Sequence, residues 1–270
     1  MPSRLTPLKP VLSATARVGY VAKGLVYLLI GGLASLAAAG LGGDNVGSKQ
    51  AINRLIAQPF GDLMIGLLGA GLLAYALWRL LQALVDTEGM GLRLKAIGAR
   101  LGFLASAAVH ASLGAYCFDL LRHAATASGE RQAQDRTAEL MSHPGGGWLV
   151  FTAGLVFLGI GLRQSWRALR RTYLRNWYRR EMSTAQRRLF EAITRWGLTA
   201  RGVVFAVVGL FLCIAAWQTD PSQAQGLGGA LSVLARQPFG PWLLGIVALG
   251  LVGYGIYCLI NAAFRDTSID

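Results

Sequence analysis

Six long stretches without a charged residue dominate this sequence: residues 24–43, 63–78, 101–118, 144–162, 202–219 and 237–264. A bilayer core about 30 Å thick is crossed by ~20 mostly apolar helical residues. Five of the stretches meet that need directly. The shortest, 63–78, is lengthened if Arg79 snorkels and the largely apolar residues 80–85 continue the helix. Charged residues make up only 14% of the chain, against roughly 25% in a soluble domain. That is too little polar surface to wrap a soluble core of six apolar helices. The expectation is an all-α membrane protein with six transmembrane helices.

The net charge of +13 is arranged as topology rather than as a nucleic-acid surface. Lys and Arg gather before the first stretch and in the second and fourth connections, which the positive-inside rule places in the cytoplasm. Both termini are therefore expected on the cytoplasmic side. Trp78, Trp166, Trp177 and Trp196 fall at inner span ends, and Trp148, Trp217 and Trp242 at outer ones, as interfacial belts do. The first stretch follows Arg4, Lys9 and Arg17 in the manner of a signal peptide, but it is too long for a signal core and reads as a retained span. Cys117, Cys213 and Cys258 stand alone inside spans, with no metal or redox spacing, and read as small apolar filler.

An internal repeat organises the chain. Spans one, three and five open with Arg17-Val18-Gly19, Arg100-Leu101-Gly102 and Arg195-Trp196-Gly197. The second helix of each pair follows a matching outer motif: Gln58-Pro59-Phe60-Gly61, His143-Pro144-Gly145-Gly146 and Gln237-Pro238-Phe239-Gly240. At one fixed distance beyond each proline stand Tyr75, Ile160 and Tyr254. The reading is a tail (1–14), three hairpin repeats (15–87, 98–169 and 194–264) and a basic linker (170–193). Because each copy has two spans, the copies enter the membrane in the same direction as parallel repeats. A pseudo-threefold arrangement is expected to follow.

Small residues suggest how hairpins close. Gly24/Gly31, Ala107/Gly114 and Gly202/Gly209 each lie on one helix face, and small stripes permit close approach in lipid. Gly66/Ala70/Ala74 and Gly245/Leu249/Gly253 form similar steps on second helices. Short amphipathic segments before the outer prolines, with Ile52, Leu55 and Ile56 or Leu227, Leu231 and Leu234, are expected on the outer membrane surface. In the linker, Tyr173, Leu174 and Trp177 share a face beside Arg170, Arg171, Arg175, Arg179 and Arg180, a pattern suited to anionic headgroups. Ser183 to Gln186 reads as a capping box that starts the helix of span five.

These motifs resemble a bacterial family catalogued as domain-of-unknown-function family 1206, over residues 14–264. The family is similar in its three two-span repeats, each with an Arg-x-Gly opening and a Gln-Pro-Phe-Gly-like motif. Repeat three matches best, through Asp220-Pro221, Ala224, Gly226-Leu227, Ala230-Leu231 and Gln237 to Gly240. The middle copy departs, with His143 for Gln and Gly145 for Phe. The resemblance implies the bacterial inner membrane and brings no established activity.

The search for chemistry yields candidates rather than a constellation. No phosphate loop, HExxH or Ser-His-Asp arrangement occurs, so no enzyme, metal or cofactor is expected. His110 is an intramembrane polar candidate, but it takes the place of Tyr27 and Phe205, which favours aromatic packing. Lys23, Ser106 and Arg201 occupy one repeat position and form a candidate inner basic ring. Facing inward they would attract anions; facing lipid they would snorkel, which is the expectation. Gln58, His143 and Gln237 form a candidate outer ring. Membrane lipids, anionic on the cytoplasmic side, and protein partners are the expected ligands, with no nucleic acid. A membrane scaffold binding them is favoured over a channel or carrier along the axis between repeats.

Overall fold

Most of each apolar stretch lies in one helix, because a chain in hydrocarbon must satisfy its own backbone. The computed structural model describes residues 9–43, 47–84, 94–122, 129–176 and 182–265. Six described helices are long and apolar enough to cross a membrane: α1 (Lys9–Ala38), α3 (Gly61–Leu84), α4 (Leu94–Arg122), α6 (Gly146–Arg170), α7 (Thr184–Gln218) and α9 (Gly240–Phe264). Three short helices, α2 (Ser48–Ile56), α5 (Gly129–Met141) and α8 (Leu227–Ala235), precede the prolines. The capping box forms as expected. Ser183 Oγ accepts from the Gln186 N–H at 3.2 Å, and the Ser183 N–H donates to Gln186 Oε1 at 3.0 Å.

The proline motif is a tight helix-to-helix turn. Phe60 and Phe239 adopt left-handed φ angles of 61° and 60°, and Gly145 has φ 80° at the same position. The middle repeat thus carries the residue that this backbone prefers, while the other two hold a strained Phe. Both phenyl rings project outward, 82% and 81% exposed, where the membrane interface can receive them. A methyl at Gly61, Gly146 or Gly240 would run into the carbonyl of Ile56, Leu140 or Ala235, so the motif's last glycine is required by space. His143 Nδ1 donates to the Glu139 carbonyl (2.9 Å), and Gln237 Nε2 to the Val233 carbonyl (3.3 Å). Each caps its own short helix. Gln58, His143 and Gln237, like Pro59, Pro144 and Pro238, are exposed and do not converge as a ring.

The small-residue stripes join different repeats, which corrects the expectation that they close each hairpin. A methyl at Gly31 of α1 would lie 2.7 Å from the Val252 nitrogen of α9, and one at Gly24 3.0 Å from the Gly255 carbonyl. A methyl at Gly209 or Gly202 of α7 would lie 2.6 Å from the Gly154 carbonyl or 2.8 Å from the Gly161 carbonyl of α6. A methyl at Gly114 of α4 would lie 2.8 Å from Leu73 and 3.1 Å from the Gly69 carbonyl of α3. The first helix of every repeat therefore packs on the second helix of another, α1 on α9, α4 on α3 and α7 on α6. Leu249 is half-exposed, so the Gly245/Leu249/Gly253 steps are not one continuous interface.

Contacts inside the repeats are less regular. In repeats one and three a glycine of the first helix lies against the conserved-spacing tyrosine of the second. A methyl on Gly19 would come 2.5 Å from the Tyr75 Cα, and Gly197 abuts the Tyr254 backbone in the same way. In repeat two Gly102 has open space around it, Ile160 replaces the tyrosine, and no comparable crossing joins α4 and α6. Equivalence of the three copies stops there.

The short helices cover the proline end of the bundle rather than resting beside it. Ile52 of α2 and Leu231 of α8 are fully buried, in one cluster with Ile30, Ala34, Ile65 and Leu244. Tyr116 of α4 donates to Asn53 Oδ1 of α2 (2.7 Å), and Gln134 of α5 donates to the Ser222 carbonyl (3.1 Å). At the same end Asp220 caps a 3-10 turn over Pro221–Gln223. Hydrogen bonds from Ser222 and Gln223 hold its carboxyl below the usual carboxylate range. Trp148, Trp217 and Trp242 are strongly exposed and Trp166 and Trp196 about half so, but Trp78 is fully buried and belongs to no belt. Trp177 lies outside the described residues.

Gly31→Ala should lower stability in detergent by about 1–3 kcal/mol, because the α9 backbone cannot recede from an added methyl. Gly32, its neighbour, has nothing within contact range. Gly32→Ala should be neutral or stabilising by up to ~1 kcal/mol. Thermal unfolding of the two variants side by side checks this, and equal losses would refute the α1–α9 crossing.

Candidate functional site

Two of the basic side chains in the inner ring point into the protein. Lys23 is 4% exposed and Arg201 9%, so the expectation that they snorkel into lipid is corrected. The reason is register: Lys23 and Tyr27 lie one turn apart on the face of α1 that packs inward, and Arg201 and Phe205 repeat that placement on α7. The third ring position, Ser106 of α4, is partly exposed.

Tyrosines receive these cations. Lys23 Nζ donates to the Tyr75 hydroxyl at 3.0 Å and lies 4.6 Å from the centre of that ring. Arg79, expected to snorkel, instead bonds the same hydroxyl through Nε (2.8 Å) and Nη2 (2.6 Å) and Gln82 Oε1 through Nη1 (2.8 Å). Arg201 Nε donates to the Tyr27 hydroxyl at 2.9 Å, with its guanidinium 4.0 Å from the Phe205 ring centre. Tyr254 stands between, its ring 5.6 Å from Lys23 Nζ and 4.7 Å from the Arg201 guanidinium. Cation–π contacts of this kind contribute about 2 kcal/mol each when desolvated.

His110 completes the inner layer. Its ring centre is 4.6 Å from that of Tyr75, and Nδ1 donates to the Ser106 carbonyl at 2.7 Å. That is the aromatic packing expected from its repeat position. Apart from Arg79 and Gln82, these groups fall at three repeat-related positions: Lys23, Ser106 and Arg201; Tyr27, His110 and Phe205; Tyr75, Ile160 and Tyr254.

The charge balance of this centre is one-sided. The described carboxylate side chains, Asp62, Asp119, Asp135, Glu139, Glu191 and Asp220, lie at helix ends or on the flanking segments, and Glu191 is taken by Arg171 (3.4 Å) and Arg187 (2.9 Å). Among the described residues, Lys23, Arg79 and Arg201 meet only neutral acceptors. One phenol oxygen, that of Tyr75, serves two cations, while Arg201 uses its Nε alone for a hydrogen bond. Burying an ion costs several kcal/mol unless opposite charge and hydrogen bonds offset it. The arrangement is rich in donors and short of acceptors, which is the chemistry of an anion site.

Depth follows from helix rise. Lys23 and Arg201 stand roughly 22–26 Å along their helices from the proline end, so they occupy the half of the bundle away from the prolines. Between them and the proline end lie the packed apolar side chains of Ile30, Ala34, Leu72 and Leu251.

The basic linker is only partly described. Arg170 stacks on Trp166 at 4.6 Å, and Arg171 ends α6 with a left-handed φ of 52°. The side chain of Arg175, and Arg179 and Arg180 entirely, lie outside the described residues. Tyr173 and Leu174 are buried, so they pack into the protein instead of facing lipid. Tyr173 donates to the Glu191 carbonyl at 3.2 Å, and burial pushes its hydroxyl up to about 12. The sequence signal that could have revealed the centre was the pairing of a basic residue with an aromatic one turn later, in repeats one and three alone.

The family described as Domain of Unknown Function (DUF1206) matches the chain three times, over residues 18–86, 101–171 and 196–265. The chain belongs to this family. It is 33% identical over 260 residues to the uncharacterised protein YxxB of Bacillus subtilis (strain 168), covering 95% of this chain and 92% of that relative. No solved structure matches it.

Tyr75→Phe strips the acceptor from both Lys23 and Arg79, whereas Tyr27→Phe strips it from Arg201 alone. The first should cost about 1–3 kcal/mol of stability and exceed the second. Thermal unfolding of both variants tests the order, and a neutral Tyr75→Phe would contradict the shared-acceptor geometry.

Proposed function

We propose that the protein binds an anionic ligand, one bearing a phosphate or similar oxyanion, at the centre formed by Lys23, Arg201 and Arg79. The observation that carries this reading is the burial of Lys23 and Arg201 with neutral partners only among the described residues. An oxyanion beside these cations would supply the acceptors and the negative charge that tyrosine hydroxyls supply incompletely. The reading is of a binding protein rather than an enzyme.

The same geometry favours a one-sided site over a through-path. The apolar side chains around Ile30, Ile52 and Leu231, capped by α2 and α8, would oppose passage of a hydrated ion toward the proline end. Exposed Arg170 and Arg171 at the other end fit anionic headgroups of the adjoining leaflet. The distribution of Lys and Arg supports cytoplasmic termini in a bacterial inner membrane, which puts the cationic centre in the inner leaflet.

Binding is tested by thermal unfolding of lipid-depleted protein in non-ionic detergent, titrated with inorganic phosphate against chloride at matched ionic strength. Phosphate should stabilise the native chain, by about 2.7 kcal/mol at a hundredfold excess over Kd, and leave the Lys23→Gln/Arg201→Gln double variant unmoved. Equal shifts in both proteins would reject the site.

Topology has its own check. On a background lacking the three native cysteines, an impermeant maleimide should label Ser222→Cys in intact cells and spare Ser183→Cys until the cells are opened. The reverse pattern would invert the assignment.

A further inference from the structure

We propose that the gap between α4 and α6 is a lateral doorway through which an anionic glycerophospholipid presents its headgroup phosphate to Arg201, Lys23 and Arg79, with its acyl chains held between the two helices. This rests on the anion-binding reading above and names the source of the anion.

The doorway is where the middle repeat fails to close. Elsewhere a glycine and a tyrosine backbone seal the hairpin, at Gly19 with Tyr75 and at Gly197 with Tyr254. Here Gly102 meets nothing within contact distance and Ile160 stands in the tyrosine's place. Two inward side chains of the middle repeat remain partly exposed at positions whose counterparts are sealed, while His110 between them is buried. Ser106 is partly open where Lys23 and Arg201 are buried, and Ile160 where Tyr75 and Tyr254 are buried.

Both doorposts lead to cations. On the α4 side, the Phe103 ring lies 5.2 Å from the Arg79 guanidinium. On the α6 side, Phe157 lies 5.6 Å from Phe205, whose ring carries the Arg201 guanidinium at 4.0 Å. Gln164, the repeat counterpart of Arg79, adds a buried carboxamide oxygen without a hydrogen-bond partner. It can accept from a headgroup hydroxyl. Ser106, small and neutral, leaves room where a third cation would otherwise stand.

The wall around this opening selects the occupant. Val109, on the face of α4 that carries Gly102 and Ser106, and Val156, beside Phe157 on α6, expose apolar side chains, so anything entering sideways comes from hydrocarbon. In a bilayer a free anion entering sideways would have to leave water and cross that wall, at a cost of many kcal/mol. A phospholipid already has its chains there and brings its phosphate with them. Charge complementarity then favours a headgroup of net negative charge over a zwitterionic one, whose ammonium would meet the same cations.

The test uses the full chain in nanodiscs containing a trace of phospholipid with a diazirine in one acyl chain. Matched phosphatidylglycerol and phosphatidylcholine probes are compared, and labelled peptides are identified by mass spectrometry. Phosphatidylglycerol should label α4 and α6 around Phe103 and Phe157, roughly tenfold more than phosphatidylcholine, the equivalent of about 1.4 kcal/mol. Lys23→Gln/Arg201→Gln should remove that preference. Because this variant alters buried groups, Gly102→Trp supplies a second arm that obstructs the opening, leaves the charges in place and should reduce labelling comparably. Equal labelling by the two probes, no labelling between α4 and α6, or labelling indifferent to Gly102→Trp would each overturn the doorway. If phosphate still stabilises the native protein in that event, the central anion site stands and its ligand is a soluble anion. If neither response occurs, both readings fall.

Discussion

Three glycine-lined crossings pair the helices of different repeats, α1 on α9, α4 on α3 and α7 on α6, and the close approaches of Gly19 to Tyr75 and Gly197 to Tyr254 join those pairs into one molecule. In lipid no hydrophobic effect drives one apolar helix onto another, so association rests on close packing and hydrogen bonding. Gly24, Gly31, Gly202 and Gly209 allow that packing because carbonyls of the facing helix occupy the space of the missing side chains. The first helix of each repeat is thereby committed to a foreign second helix. This pairing turns the faces carrying Lys23, Tyr27, His110 and Arg201 toward the middle of the bundle.

Once those faces are inside, the cost of the cations becomes the central energetic fact. Lys23 and Arg201 are buried, and Arg79 half-buried, beside aromatic rings and phenol oxygens, which recover only part of the hydration lost. A structural role alone would be met as well by apolar residues of similar size, as buried ion pairs often are. Arrangements that are costly in lipid and gathered at one level of a bundle are the first place to look for function, and the proposed anion site rests on that cost. The apolar packing beyond them, toward the proline end, is what makes the centre one-sided.

The middle repeat gives the molecule its asymmetry. Its replacements act together: Ser106 removes a cation, Ile160 removes the tyrosine that Gly102 would have met, and the α4–α6 crossing is absent. Repeats one and three supply charge and closure, and repeat two supplies an opening. The change at the proline turn is of a different kind, since Gly145 relaxes a backbone that Phe60 and Phe239 hold in a strained left-handed conformation. That strain, of order 1–2 kcal/mol per residue, places two exposed aromatic rings at the bundle's end.

Reading the sequence alone established the helix count, the repeats and the turn motifs, because each depends on local properties: length of apolar run, spacing, and the chemistry of Pro, Gly and Ser183. His110 could be read as packing because its repeat partners are aromatic. Which way Lys23, Arg79 and Arg201 point could not be read, since an amphipathic cation one turn inside a span can snorkel or turn inward with the same spacing. Trp78 and Tyr173 were misplaced for the same reason, being side chains whose surroundings come from other helices. The small-residue stripes announced close packing but not the partner, because any helix with a matching groove satisfies them. Only the tertiary structure decided that those stripes join one repeat to the next, and with that choice brought three cations to a common centre and left α4 and α6 apart.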